Sequence, residues 1–541
     1  MKLIQSTILA LSLLTSCWTS ARADVYSDVK SIGQVLLNLE NRYVDTVNVD
    51  NLAEVGIKAI LKELDPHSTY LTPQEVKDMN EGLGGSFEGI GVRYQMENDT
   101  LLVINTVSGG PSEKVGIMAG DRIIMVGDST IAGQKFQTPE IQRRLRGPKG
   151  SIAHLGISRT GESKLLWFDV KRDKIPVYSV DASYMASPTV GYIRIARFGQ
   201  TTPDEVHKAI GKLSLQGMKD LIIDLQNNGG GYLSSAVELA NIFLPGDEMV
   251  VYTDGREQGR KDYVTRSYSH HFKGRLAVLI DEQSASASEI FAGCMQDLDR
   301  GVIIGRRSFG KGLVQSPIML ANGGMVRLTV ARYYTPSGRC IQKPFDKGDQ
   351  KTYREDLLRR LQHGELVSAD SIHLADSLLF FTRNGRKVYG GGGILPDIFV
   401  PLDTTQLSKA HRAVMAKGSM NRFIVKYFRE NQERLHKRYR TVEDFLDETK
   451  GFKLTDDIVM GVIEQARQDS AQCDTLESLL NNDIFRLQIQ AYLANDLYES
   501  GAYSRIMNRT SHIYCKGLEA ITDERRYNQL LVGQNQPLDE E

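Results

Sequence analysis

The sequence predicts an α/β protein in which a βαβ-containing core carries an inserted domain, an amino-terminal helical segment and a carboxyl-terminal helical domain. Two apolar strands, at 190–195 and 221–225, are each followed by a predicted helix, an amphipathic one at 203–215 and a second at 232–244. This alternation indicates βαβ units. From 84 to 172 the pattern changes to short strands and glycine turns. After about 405 it is helical and charge-rich, with helices predicted at 423–440 and 482–498.

These changes of pattern predict five segments. In chain order they are a signal peptide at 1–23 or a lipoprotein signal ending at 16, a helical segment at 24–82, an inserted domain at 83–172, a core at 173–404 with an insertion at 343–390, and a helical domain at 405–541.

Length and charge limit the classes of function. A chain of 541 residues has room for two to four domains with buried cores. A net charge of -1 and a pI near 6.8 give no electrostatic reason to expect nucleic acid or an anionic membrane surface as a partner.

The first residues predict export. Lys2 precedes the apolar run 8–14, which is too short to span a bilayer and is typical of a secretory signal. Two endings compete: Ala21-Arg22-Ala23 fits cleavage before Asp24, whereas 14–17 resembles a bacterial lipobox, which would leave Cys17 as a lipid anchor. We expect an exported, periplasmic protein in either case.

Several common chemical motifs are missing from the sequence. The five cysteines show no CxxC spacing, so disulfides cannot be assigned. The chain also lacks HExxH and G-x-S-x-G, the sequence signals of zinc metalloproteases and α/β-hydrolases. His67 follows Pro66 in a turn after the helical segment, which favours a structural role over that of a catalytic base.

A serine-rich turn carries the main catalytic hypothesis. Ser284, Ser286 and Ser288 lie between an apolar strand and a helical pattern, where free N–H groups and the helix dipole favour an oxyanion. A serine hydroxyl needs a base. Lys311 has glycines on both sides and apolar runs nearby, and desolvation lowers a lysine pKa from about 10.4 toward about 7 or 8. Gln315, four residues on, would share its face in a strand.

These residues also fit two other interpretations. The run Ser286–Glu289 is also a capping box, which would make the serines purely structural. The run Gly305–Gly312 nearly spells a phosphate-binding P-loop, but Gly312 stands where a Ser or Thr would hold Mg²⁺. Nucleotide binding is therefore disfavoured.

The run Ser284–Ile290, the run Ser308–Gln315 and the run Tyr334–Arg339 together resemble the carboxyl-terminal processing proteases, also called tail-specific proteases. The resemblance covers about residues 40 to 400. In that family the nucleophile is the middle serine and the base is a lysine 25 positions later, which implies Ser286 and Lys311. The family's glutamine falls on Gln315.

The resemblance also implies an oxyanion hole. The family has Asp-Leu-Arg-x-Asn-Pro-Gly-Gly where this chain has 224–231, and a glycine N–H there completes the hole. Matched by position, Gly230 is the candidate donor, together with the Ala287 N–H. Gln226 replaces the family's arginine and Gly229 its proline, so the loop departs from the pattern.

The order of short strands and helices from 84 to 172 resembles a PDZ domain, with Gly89, Ile90, Gly91 and Val92 as its carboxylate-binding loop. Consecutive N–H groups around two glycines can hold a terminal carboxylate, and the strand that follows offers its edge to an extended peptide. Relatives use an arginine near the end of this module in peptide sensing, which makes Arg146 a candidate switch. The alternative is a solvated arginine at a helix end.

Together these resemblances imply an exported serine endopeptidase that recognises substrate carboxyl-terminal tails and needs no metal or organic cofactor. Its partners would be proteins or peptides with free tails, not nucleic acid, and the carboxyl-terminal helices could support self-association. Two rivals remain: a PDZ scaffold on an inactive protease-like fold, and an amidase or esterase that uses the same Ser-Lys pair on small substrates.

Overall fold

The computed structural model describes residues 25–97, 99–267, 271–403, 407–473, 475–498 and 501–532. The chain forms two compact units. The smaller contains the described residues up to Val76, Gln315–Thr329 and Phe345–Arg354, and the larger contains the rest. The predicted signal segment and Cys17 lie outside the described residues.

The smaller unit is built on helices and one turn. Its helices are 25–42, Val49–Lys62 and Gln350–Arg354. Strand Thr69–Leu71 pairs antiparallel with the first residues of strand Met325–Tyr334. Many apolar side chains of helix 25–42 are exposed, among them Val29, Ile32 and Val35.

Asp65 organises the turn that contains His67. Its carboxylate accepts the backbone N–H groups of His67 (2.8 Å) and Ser68 (3.0 Å) and the hydroxyl of Thr329 (3.0 Å). The His67 ring meets the hydroxyl of Tyr353 at 2.7 Å. These contacts belong to a fixed turn, in keeping with the structural role that the sequence favours for His67.

A six-stranded sheet forms the centre of the larger unit. Its spatial order is Val180–Met185, Val190–Ile195, Asp220–Asp224, Leu276–Ile280, Val302–Gly305 and Ile398–Phe399. The first strand is antiparallel to its neighbour and the other pairs are parallel. Helices Thr202–Leu215, Leu233–Ala240 and Ala287–Asp297 provide the connections.

Both faces of this sheet are buried, as parallel strands require. One face packs against the connecting helices, with Ile223, Val278 and Phe291 in a single cluster. The other face, with Ile222 and Leu279, packs against helix His512–Thr522 near the carboxyl end.

The segment that resembles a PDZ domain forms a separate antiparallel sheet. Its main path is Val92–Glu97, Thr100–Thr106, Arg122–Val126, Ile152–Ser158 and Leu166–Lys171, with Ser129–Thr130 on Arg122–Val126. Helices Pro111–Lys114 and Thr138–Leu145 accompany it. Strands Ser86–Gly89 and Asp173–Pro176 pair where the chain enters and leaves the domain.

The remaining elements flank the core. Helix Pro73–Leu83 and strands Leu313–Met319 and Met325–Tyr334 continue from one unit into the other along the chain. Strand Met249–Gly255 pairs with Gly259–Val264 and with the end of Met325–Tyr334. The predicted insertion contains helix Asp356–Gln362 and a hairpin of Leu379–Phe381 and Lys387–Tyr389.

The carboxyl-terminal region is helical. Its α-helices are Lys409–Lys417, Ser419–Arg438, Val442–Leu446, Asp456–Gln468, Asp483–Leu497, Ala502–Met507, His512–Thr522 and Glu524–Leu530. Val462, Phe485 and Leu493 are among the fully buried residues at its centre. The predicted fold class is confirmed: a mixed α/β core with a PDZ-like sheet, amino-terminal helices and a carboxyl-terminal helical region.

Candidate active site

The three serines between strand Leu276–Ile280 and helix Ala287–Asp297 have different surroundings. The Ser284 hydroxyl donates to the Leu225 carbonyl, and the Ser288 hydroxyl donates to the Asn228 carbonyl, each at 2.8 Å. Both side chains are fully buried, whereas Ser286 is only half-buried. The outer serines therefore hold the neighbouring loop, and Ser286 keeps access to the surface.

Ser286 has an unusual backbone conformation. Its φ is 57° and its ψ is -114°, a combination that non-glycine residues rarely adopt. Such a conformation costs of order 1–3 kcal/mol and persists only where the surroundings impose it. Ala287 begins the helix that follows, so its N–H has no acceptor within the helix.

Glu289 joins the serine turn to the lysine loop. Its Oε2 accepts the backbone N–H of Ser286 at 2.8 Å and that of Lys311 at 2.9 Å. Its Oε1 accepts the Gly310 N–H at 2.7 Å and the Ser308 hydroxyl at 2.5 Å. Burial raises the pKa of this carboxyl, and the four donors oppose that rise. The capping interaction that the sequence suggested is therefore only part of what Glu289 does.

Tyr333 makes a second link between the same two residues. Its hydroxyl contacts the backbone carbonyls of Ser286, at 3.2 Å, and Lys311. The ring is almost completely buried. Amides and carbonyls of Ser286 and Lys311 are thus fixed side by side, although 25 residues separate them in the sequence.

Gly230 packs directly on the serine turn. A Cβ at this position would lie 2.6 Å from the Ala285 carbonyl oxygen and 2.7 Å from the Ser286 Cβ, and φ is +95°, so only glycine fits. The Gly230 N–H donates to Asn228 Oδ1 at 2.8 Å. The predicted oxyanion donor is therefore beside Ser286, but its N–H already has a partner within its own loop.

Gln315 lies four residues after Lys311 on strand Leu313–Met319. It belongs to the smaller unit, whereas Ser286 and Lys311 belong to the larger one. Within the smaller unit its amide nitrogen lies 3.5 Å from the Thr329 hydroxyl. Its predicted contact with the lysine amine stays a prediction.

The predicted carboxylate-binding loop joins two strands of the PDZ-like domain. Ser112 donates to the Ile90 carbonyl from its N–H (3.1 Å) and its hydroxyl (2.6 Å), which fixes the loop. Gly91 has φ +73°, which favours glycine. Strand Val92–Glu97, which follows, lies at the edge of its sheet.

Arg146 ends helix Thr138–Leu145 and is not simply solvated. Its guanidinium lies 2.8 Å from Glu81 and 3.2 Å from Asp78, and it stacks over the Phe87 ring at 4.9 Å. The arginine thereby connects the PDZ-like domain to helix Pro73–Leu83. No local sequence pattern predicts a pair between residues so far apart in the chain. The same holds for the contacts of Tyr333 with Ser286 and Lys311.

Comparison with known proteins supports both domains. The profile of peptidase family S41 matches residues 189–349, a PDZ domain matches 89–171, and a family of unknown function matches 410–499.

Three similar proteins illustrate the match. A carboxy-terminal-processing protease of Bartonella bacilliformis is 36% identical over 334 residues, which is 60% of this chain and 75% of that protein. The carboxy-terminal processing protease CtpB of Bacillus subtilis is 34% identical, over 56% of this chain and 64% of its own length. A solved PDZ domain of a carboxy-terminal protease from Vibrio cholerae, in complex with peptide, is 32% identical, covers 17% of this chain and 99% of that domain, and has a TM-score of 0.16.

The Bartonella protease is similar over three quarters of its length, and the matched S41 region contains the serine turn and the lysine loop. The chain therefore belongs to the carboxyl-terminal processing serine proteases of peptidase family S41, with a PDZ domain.

Proposed function

We propose that the protein is an exported endopeptidase that cleaves peptide bonds with Ser286 and Lys311 after its PDZ domain has bound the carboxyl-terminal tail of a protein substrate. The observation that carries the proposal is the single Glu289 oxygen shared by the N–H groups of Ser286 and Lys311. It supports a dyad because it brings the backbones of the two residues together at a helix start.

In the proposed mechanism the Ser286 hydroxyl attacks the scissile carbonyl carbon while the neutral Lys311 amine takes its proton. The lysine then gives this proton to the leaving amine, and the C–N bond breaks to leave an acyl-enzyme. Water, deprotonated by the same lysine, hydrolyses the ester and regenerates Ser286. The half-buried position of Lys311 supports this role because desolvation favours the neutral amine.

The proposed oxyanion hole consists of the N–H groups of Ala287 and Gly230. Preorganised donors of this kind contribute about 3–4 kcal/mol to acyl transfer. The close packing of Gly230 on Ser286 supports the assignment. Because the Gly230 N–H now donates to Asn228, we propose that it exchanges this partner for the oxyanion. Gln315 is proposed to orient the lysine amine, on the strength of its sequence position.

The proposed tail site is the loop Gly89, Ile90, Gly91 and Val92 together with the edge of strand Val92–Glu97. The loop's N–H groups would hold the terminal carboxylate, and the strand would add the peptide to the sheet. Arg146 is proposed as a switch, since its ion pairs with Glu81 and Asp78 join this domain to helix Pro73–Leu83.

Export is proposed from the apolar run 8–14 and the two alternative cleavage patterns that follow it. A lipid on Cys17 would anchor the mature protein. Within the described ranges, no helix is long and apolar enough to cross a bilayer.

A paired-substrate cleavage assay tests the proposal. Purified protein, Ser286→Ala and Lys311→Ala are incubated with two unfolded proteins that differ only in whether the last residues are apolar. Lys347→Ala, which changes an exposed lysine, is the matched control. We expect tail-dependent cleavage by the wild type and the control and none by the two active-site variants.

The other outcomes separate the rival functions. Capture of the tailed protein without cleavage by any variant would favour the scaffold. Hydrolysis of small esters or amides alone would favour the amidase or esterase. Near-normal cleavage by Lys311→Ala would refute the dyad.

A further inference from the structure

Helix Asp356–Gln362 lies beyond the region matched by the S41 profile, which ends at residue 349. It nevertheless packs against the loop that carries Lys311. The contact is made by Arg360, which is only 4% exposed. A buried arginine is uncommon unless it is paired, so its partners matter.

Both ends of the Arg360 guanidinium bind the chain just before Lys311. One terminal nitrogen donates to the Ser308 carbonyl at 3.1 Å, and the other donates to the Arg307 carbonyl at 2.6 Å. The planar guanidinium thus fixes two consecutive peptide groups, a geometry that a lysine cannot reproduce.

Ser308 relays this contact to the catalytic residues. Its carbonyl accepts from Arg360, while its hydroxyl donates to Glu289 and accepts the Ile394 N–H at 2.7 Å. Glu289 in turn holds the N–H groups of Ser286 and Lys311. A continuous path of hydrogen bonds therefore runs from helix Asp356–Gln362 to the proposed dyad.

A second contact holds the same loop. The Lys343 amine lies 3.0 Å from Asp356 and 3.9 Å from the centre of the Phe309 ring. The Lys343 N–H donates to the Gly310 carbonyl at 3.0 Å. Phe309 and Gly310 immediately precede Lys311. The helix therefore holds residues 307 and 308 through Arg360, and residues 309 and 310 through Asp356 and Lys343.

The charges around Arg360 are costly to bury. Glu365 pairs with Arg307 and lies 3.5 Å from the Arg360 Nε. Burial, followed by the charge of Arg307, lowers the pKa of Arg360 to about 10, and Asp356, Glu365 and Glu282 oppose that fall. A hydrophobic side chain of similar volume would often be as stable as such a buried charge. The arginine is thus better explained by what it positions than by stability.

We propose that helix Asp356–Gln362 is a brace for the lysine loop and that Arg360 is a positioning residue for the Ser286–Lys311 dyad. The proposal rests on the function proposed above. It extends that function because it assigns a role to a segment that follows the region matched by the S41 profile, residues 189–349. Arg360 does not touch the reacting atoms. It fixes the backbone of the loop at Arg307 and Ser308, so that the Lys311 amine stays desolvated and within reach of Ser286.

The test compares Arg360→Met and Arg360→Lys with Arg359→Met, which alters the exposed neighbour on the same helix. A misplacement of about 1 Å can cost roughly 100-fold in rate, so we expect kcat of Arg360→Met to fall by about that factor with KM within about twofold. Arg360→Lys should be intermediate, and Arg359→Met should match the wild type.

The pH dependence of kcat/KM separates positioning from simple destabilisation. A looser loop admits water to the proposed base, which favours its charged form, so the acid limb of the profile of the Arg360 variants should move to higher pH. An unchanged profile and an unchanged kcat in folded Arg360→Met would overturn the brace. If that variant does not fold, an unchanged kcat and profile in Arg360→Lys would overturn it equally. Turnover by Lys311→Ala would instead refute the dyad, so the two failures are distinguishable.

Discussion

The backbone N–H groups of Ser286 and Lys311 donate to the same carboxylate oxygen of Glu289, and their carbonyls contact the same hydroxyl of Tyr333. This arrangement fixes the backbones of two residues on different elements without using either side chain. The proposed dyad therefore depends on the buried polar groups of Glu289 and Tyr333, which do not themselves react.

The first prediction concerns Glu289→Gln. A glutamine keeps one acceptor oxygen but directs an NH₂ group at N–H donors that now share the carboxylate. Leaving a buried donor unpaired costs about 1–3 kcal/mol, although the neutral amide relieves the desolvation that raises the pKa of Glu289. We expect a lower Tm and a loss of turnover larger than the loss of folded protein.

Thermal unfolding and the rate of labelling by a serine-directed fluorophosphonate would measure both effects. Glu257→Gln, at an exposed position, is the control. If Glu289→Gln is labelled at the same rate as the wild type, this carboxylate does not position Ser286.

The second prediction concerns Gly230→Ala. The added Cβ would lie within 3.0 Å of backbone atoms of Ala285 and Ala287, and φ is +95°, so neither the side chain nor the backbone fits. A strained φ costs of order 1–3 kcal/mol, and displacement of the loop would remove one proposed oxyanion donor. We expect loss of turnover together with a lower Tm.

Gly229→Ala is the matched control, since a Cβ there meets no atom within 4 Å. Both variants would be compared by thermal unfolding and peptide cleavage. Equal activity of the two variants would contradict the close approach of Gly230 to Ser286.

Much of the fold follows from local sequence patterns. The predicted helix at 203–215 is observed as Thr202–Leu215, and the one at 482–498 as Asp483–Leu497. Periodicity succeeds for Thr202–Leu215 because this helix buries one apolar face, which contains Val206, Ala209 and Leu213. By contrast, the predicted helix at 232–244 ends as an α-helix at Ala240.

The site was only partly predictable. Residue type and spacing predicted a site at the serine turn and Lys311, but the choice among three serines came from family resemblance. The structure adds a physical reason, since the hydroxyls of Ser284 and Ser288 bind neighbouring carbonyls. The links through Tyr333 and Arg360 depend on contacts between segments far apart in the chain, which no local pattern reveals.

The third prediction concerns Arg146. Arg146→Met keeps most of the stem that packs on Phe87 but removes the ion pairs with Glu81 and Asp78. Because the side chain is partly exposed, the effect on stability should be small, within about 1 kcal/mol. If Arg146 is the switch, tail-dependent cleavage should fall while cleavage of the tailless protein is unchanged.

Arg143→Met provides the control, because Arg143 is exposed on the same helix and pairs only locally with Glu140. The ratio of cleavage rates for tailed and tailless substrates is the measured quantity. The same ratio in both variants and the wild type would mean that Arg146 serves the structure alone.

The fourth prediction concerns the contact between the PDZ domain and the carboxyl-terminal helices. Leu102 and Ile104 form a buried cluster with Val425, and Arg93 pairs with Asp496 at 2.7 Å. Val425→Ala removes two carbons from this cluster, which costs about 2 kcal/mol.

We expect faster hydrogen exchange at strands Val92–Glu97 and Thr100–Thr106 in Val425→Ala, measured by mass spectrometry. Lys426→Ala, the exposed neighbour on the same helix, should leave exchange unchanged. If Val425→Ala speeds hydrogen exchange only in the helix, this contact does not stabilise the PDZ sheet.

The last prediction concerns pH and His411, which is completely buried in the carboxyl-terminal helices. Its Nε2 bonds Gln488 at 2.5 Å, and its Nδ1 is buried without a hydrogen-bond partner among the described residues. Burial lowers the pKa of His411 from its usual value of 6.5. The unfolded chain therefore binds a proton at a higher pH than the folded chain does.

It follows that the stability contributed by neutral His411 is present above pH 6.5 and is lost as the pH falls below that value. In His411→Gln, which cannot take up the proton, the fall in Tm between pH 7 and pH 5 should be smaller than in the wild type. His436→Gln, at an exposed position on helix Ser419–Arg438, should keep the wild-type slope. Parallel slopes in all three proteins would mean that the pKa of His411 is the same in the folded and the unfolded chain.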